Sequence, residues 1–141
     1  MDSPLVIAGK QLNSRPIVGT GKYRTIEEMV AALAASGADL VTVALKRLDL
    51  ANQQKTILDY VDWKRYNILP NTAGCQTVAE ALYTARLARS MGLSDWIKLE
   101  VIPDAKYLLP DPIATLEAAQ TLVTEGFTVL PYINADRKSV V

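Results

Sequence analysis

Short apolar runs bounded by glycine, proline and asparagine alternate along the chain with longer stretches whose apolar residues recur at helical spacing. Five runs predict strands: Arg15–Gly19, Asp39–Leu45, Tyr66–Pro70, Trp96–Ile102 and Phe127–Ile133. Ahead of them the pattern predicts a small hairpin, Pro4–Ala8 and Gln11–Asn13, around a turn at Gly9-Lys10. Met29, Val30, Leu33 and Ala34 form the apolar face of a helix beginning at Ile26. Thr25 with Glu28 reads as its capping box and Gly37 as its stop. A less regular helix is expected over Ala51–Val61. Thr77 and Glu80 predict a second capping box, before a face of Ala81, Leu82, Ala85 and Leu87 that stops at Gly92. Asp111 caps a further helix whose first residue is Pro112, a position proline favours, and Gly126 follows its end.

Strands that recur roughly every 25–30 residues with helical crossovers are parallel and covered on both faces. An open doubly wound sheet and a (β/α)8 barrel both fit. A barrel takes about 250 residues, and this chain has 141, so length by itself favours the open sheet. The end of the chain argues the other way, since no helix follows the fifth strand to cover it.

Half of the residues are hydrophobic, enough for one domain with a core. The formal charge is zero, 15 basic against 15 acidic residues, and no basic stripe favours nucleic acid or an anionic membrane. No apolar run approaches a membrane span, and Met1–Lys10 lacks the pattern of a signal peptide. A single cysteine, Cys75, excludes an internal disulfide and a multi-cysteine metal site, so a cytoplasmic location is the simplest expectation. There is no histidine. The usual general base, the usual zinc ligand and every Ser-His or Cys-His device are therefore missing, which leaves lysine, carboxylates, tyrosine or Cys75 for chemistry.

Lys98 changes the picture most. In Trp96-Ile97-Lys98-Leu99-Glu100-Val101 the side chains alternate, so Lys98 and Glu100 share one face, opposite Ile97, Leu99 and Val101. Charges on the face of an interior strand cost free energy unless they are paired or used. A lysine amine forms an imine with a ketone or aldehyde, but at a reference pKa near 10.4 only roughly one amine in 2,500 is neutral at pH 7. A barrel interior supplies the desolvation that frees it. Glu100, two residues on, is placed to carry protons to and from an imine and its enamine. A plain interior ion pair accounts for the same two residues.

Other positions offer less. Gly19-Thr20-Gly21-Lys22 lacks the spacing of a Walker loop and reads as a turn that closes the first interior strand. Lys46-Arg47 lies at the ligand-binding end of the second, facing an anion or solvent. Cys75 has neither a histidine nor a second cysteine to work with, and Asp104 and Lys106 take no role.

Five segments occur together in a fixed order: Gly19-Thr20-Gly21-Lys22-Tyr23, Val41-Thr42-Val43-Ala44-Leu45-Lys46-Arg47, Leu69-Pro70-Asn71-Thr72-Ala73-Gly74, Trp96-Ile97-Lys98-Leu99-Glu100-Val101 and Leu108-Leu109-Pro110-Asp111-Pro112. As a set they resemble the N-terminal half of bacterial thiazole synthase, from about Pro4 to Ala135. That resemblance implies a (β/α)8 barrel, of which about five β/α units are present. It also implies condensation of 1-deoxy-D-xylulose 5-phosphate with dehydroglycine and with sulfur from the thiocarboxylate of a small sulfur-carrier protein. By motif, Lys98 is the imine-forming lysine and Glu100 the carboxylate beside it. The family uses no metal or organic cofactor in this step and assembles as homo-oligomers. Its phosphate grip and a second carboxylate belong to later strands, so the 141-residue chain alone is expected to be inactive. The resemblance stops before Asp136-Arg137-Lys138-Ser139-Val140-Val141, which matches the translation of a common sequencing-adapter stretch; residues 136–141 are expected to be a non-native tail on a 1–135 domain. Two other readings stay open: a different Schiff-base enzyme of class I aldolase type, and a non-catalytic half-barrel in which Lys98 and Glu100 are a structural pair.

Overall fold

A computed structural model of the chain describes residues 3–47 and 56–135. The expected tail, 136–141, and the first half of the helix expected over Ala51–Val61 lie outside the described residues. The chain divides into two compact units, Met1–Leu69 and Pro70–Val141.

The first unit opens with β1 (Leu5–Ile7) and β2 (Lys10–Leu12), an antiparallel hairpin with Ile7 opposite Lys10. Its turn is Ala8-Gly9, both at positive φ (47° and 76°), one residue earlier than the glycine alone suggests. β3 (Ile17–Gly19) runs parallel to β4 (Leu40–Ala44), with Val18 beside Val41. β3 is shorter than predicted, and Pro16, just ahead of it, has no amide to pair. Between them, α1 (Ile26–Ser36) starts where Thr25 Oγ1 accepts from the Glu28 amide at 3.2 Å. Only this half of the predicted capping box forms, since the Glu28 carboxylate pairs with Arg24 at 2.8 Å. Met29, Leu33, Val41, Val61 and Tyr66 make the core of this unit.

The described part of the expected 51–61 helix is a single 3₁₀ turn, Ile57–Asp59, capped by Thr56. A helix continuing to Val61 would need the Leu58 carbonyl for the amide four residues on. The Trp63 indole takes that carbonyl at 2.8 Å, and Val61 turns into the core.

The second unit contains α2 (Val78–Ser90), β6 (Trp96–Leu99), α3 (Pro112–Thr124) and β7 (Thr128–Pro131). β5 (Asn67–Asn71) reaches it from the first. Thr77 caps α2 by accepting from Glu80, whose carboxylate bonds the Gln76 amide. Asp111 Oδ1 accepts from the Ile113 and Ala114 amides at 3.0 and 2.9 Å, ahead of the expected Pro112 start. Ala81, Ala85 and Ala118 are fully buried with Ile97, Leu99, Val101 and Leu122, so small helix residues bring the backbone close to the strands.

β3 to β7 form one parallel sheet in the order β3-β4-β5-β6-β7. That order follows the sequence without the reversal that marks a doubly wound sheet. It is the strand order of a (β/α)8 barrel, here with five strands.

Two arginines of α2 join it to the C-terminal end of α3. Arg89 pairs with Asp95 at 2.7 Å, donates to the Glu125 carbonyl at 2.9 Å and lies 3.4 Å from the centre of the Phe127 ring. Arg86 grips Glu125 with two bonds, 2.5 and 3.1 Å. The hydrogen bond from Arg86 holds the Glu125 carboxyl below the usual carboxylate range. A carboxyl lowered in the folded state contributes stability above its unfolded value, and that contribution is lost as pH falls through the lower folded one. Arg86→Met is thus expected to be less stable than wild type at neutral pH. The gap should close under acid as Glu125 is protonated, which urea midpoints taken across pH would follow.

Candidate functional site

Lys98 lies on β6, an interior strand paired with both β5 and β7. Alternation holds as predicted: Ile97, Leu99 and Val101 are fully buried on one face. On the other, Lys98 Nζ donates to Glu100 Oε1 at 2.6 Å. The lysine side chain is 39 % exposed and the glutamate 12 %. The face was expected to be buried throughout, and it is buried only at its glutamate end. A small reactant can therefore reach the amine.

β6 ends at Leu99, one residue before Glu100. Several segments supply the backbone bonds around this end of the strand. The Thr72 amide bonds the Lys98 carbonyl (3.1 Å) and the Tyr132 amide the Leu99 carbonyl (2.8 Å). The Asp111 amide bonds the Val101 carbonyl, and the Ile102 amide the Cys75 carbonyl, each at 2.9 Å. Glu100 is held by one side chain: Thr72 Oγ1 accepts from its amide at 2.7 Å and donates to its carbonyl at 2.8 Å. Sequence reasoning placed Thr72 only in an outgoing loop. A hydroxyl residue just past a parallel strand, opposite the strand bearing the charges, was the signal available.

The other candidates separate from this pair. Cys75 is fully buried in the core with Sγ 3.4 Å from Thr84 Oγ1, a packing position. Asp104 accepts from the Lys106 amide in a local turn at 2.7 Å, and Asp111 is the expected cap. In the first unit, Thr20 Oγ1 donates to the Thr42 carbonyl at 3.0 Å, so the Gly19–Lys22 segment is tied to β4 as a strand-closing turn. Lys46 is exposed within a 3₁₀ turn, Leu45–Arg47, and the Arg47 side chain lies outside the described residues. Among the described residues no group of three or more cysteines and carboxylates is placed to hold a metal ion, and no helix is long and apolar enough to cross a membrane.

Fold and site together define a parallel α/β protein with a lysine–carboxylate pair at the C-terminal end of an inner strand. The family described as thiazole biosynthesis protein ThiG matches residues 6–140. The chain belongs to that family. It is 56% identical over 136 residues to the thiazole synthase of Syntrophobacter fumaroxidans, covering 96% of this chain and 53% of that protein. It is 54% identical over 142 residues to the thiazole synthase of Thermosynechococcus vestitus, covering 96% and 51%. The chain thus spans about half the length of these curated relatives. A chain in the crystal structure of the Amycolatopsis orientalis BexX/CysO complex superposes with a TM-score of 0.80 at 28% identity, covering 98% of this chain and 57% of that one.

Proposed function

We propose that these residues carry the imine-forming part of a thiazole synthase acting in thiamine biosynthesis. The observation behind this reading is the 2.6 Å Lys98–Glu100 pair on an interior strand, with the lysine still reachable. The ketone of 1-deoxy-D-xylulose 5-phosphate is the electrophile. The Lys98 ammonium passes a proton to Glu100, and its nitrogen adds to the ketone carbon. The carbinolamine oxygen takes the proton back and leaves as water, giving the imine. Glu100 then removes a proton from the neighbouring carbon to give the enamine. Sulfur arrives from the thiocarboxylate of a small carrier protein, and dehydroglycine supplies the remaining ring atoms. A structural neighbour solved as a BexX/CysO complex supports a protein partner. The working form is a cytoplasmic homo-oligomer of a chain about twice this length. Barrels bind phosphate after strands seven and eight, so the 141 residues alone are inactive on the phosphorylated sugar.

The test is borohydride trapping. The enzyme at its full natural length, incubated with 1-deoxy-D-xylulose 5-phosphate and reduced, is expected to carry one adduct on Lys98, with turnover that requires the carrier thiocarboxylate. No adduct, or one on another lysine, overturns the assignment. An adduct with turnover indifferent to the thiocarboxylate points instead to aldolase-type chemistry.

A further inference from the structure

We propose that Thr72 is a positioning residue that sets the Glu100 carboxylate against Lys98, an inference that rests on the reading above. Thr72 is fully buried. Its hydroxyl uses both its donor and its acceptor on a single neighbour, the Glu100 carbonyl and the Glu100 amide. One oxygen bonded to both backbone groups of a residue closes a ring across that residue and fixes the rotation between them. The direction in which its side chain leaves the backbone is fixed with it. Glu100 lies one residue beyond the end of β6, and both of its backbone groups bond the Thr72 hydroxyl instead of a neighbouring strand's backbone. Thr72 is itself held, since its amide bonds the Lys98 carbonyl at 3.1 Å. Residue 72 therefore touches the backbone of both members of the pair. Threonine suits the task, because β-branching restricts χ1 and aims the hydroxyl.

Thr72→Val keeps the shape and removes both bonds, whereas Thr72→Ser keeps the hydroxyl. In the enzyme at its full natural length, Thr72→Val is expected to lower kcat by about 10–100-fold with KM changed less than about twofold, because a catalytic group is displaced while the substrate is still bound. Thr72→Ser is expected to recover activity to within about threefold of wild type. The Glu100 side-chain carboxyl resonance, assigned by its loss in Glu100→Gln, should move in Thr72→Val and return toward wild type in Thr72→Ser. A purely structural hydroxyl would give a different outcome: both variants losing activity in step with their thermal midpoints, with the resonance unmoved, overturns the proposal. If the wild-type enzyme forms no borohydride adduct, the functional reading fails, while the resonance still decides whether Thr72 positions Glu100.

Discussion

Lys98→Ala, in the enzyme at its full natural length, is expected to lose thiazole formation by on the order of 10³-fold or more and to trap no sugar adduct. The size of the effect follows from the role. A proton carrier can be replaced in part by water, but an amine that bonds to the substrate carbon has no substitute in solvent. Glu100→Gln should therefore cost less, about 10²-fold, and should still trap adduct slowly. Lys98→Arg serves as the electrostatic control: it keeps the cation beside Glu100 and cannot form the imine at neutral pH. If the arginine variant keeps wild-type turnover, the positive charge matters and the imine does not. Adduct mass by peptide mapping, with single-turnover rates for the three variants, separates these outcomes.

Leu99→Ala is expected to cost about 3 kcal/mol of stability, the usual range for a buried leucine that leaves a cavity. Leu99 is fully buried between the lysine and the glutamate in sequence, on the opposite face, among Ile97, Val101, Ala85, Ala118 and Leu122. Two of those neighbours are alanines, Ala85 on α2 and Ala118 on α3. Alanines have no flexible atoms with which to fill a gap, so the cavity should persist. Urea midpoints of wild type and variant measure the loss. A change below about 1 kcal/mol would mean that the helices close onto the strand and that the core is softer than its alanines suggest.

Much of this architecture was legible in the sequence because local rules agree with one another. Thr25, Thr77 and Asp111 cap the helices they were expected to cap, and all five predicted strands are present. The alternation of Ile97, Lys98, Leu99 and Glu100 gives the correct face to each residue. The failures share a physical cause. Each of the two predicted capping boxes is half-formed because its glutamate finds a better partner, Arg24 for Glu28 and the Gln76 amide for Glu80. The described end of the helix expected to Val61 is one turn, because the Trp63 indole claims a carbonyl that a longer helix needs. Strands read longer than they are, as at β6, where the apolar run continues to Ile102 and the strand ends at Leu99. The Arg89 contacts and the Thr72 hydroxyl were hidden because their partners are distant in sequence, Glu125 for the first and Glu100 for the second.

Thr72 and Glu100 are 28 residues apart, and the hydroxyl that holds the backbone of the glutamate comes from within that span. One strand–helix–strand unit closes the loop, a short-range event by the standards of a parallel sheet. As the chain leaves the ribosome, the contact between Thr72 and Glu100 can form once Ile102 has emerged, before β7 pairs with β6. The geometry of the lysine–glutamate pair is then in good part a local inheritance, to which β7 adds its pairing with Lys98, and redesign of distant loops should leave the spacing of the two side chains intact.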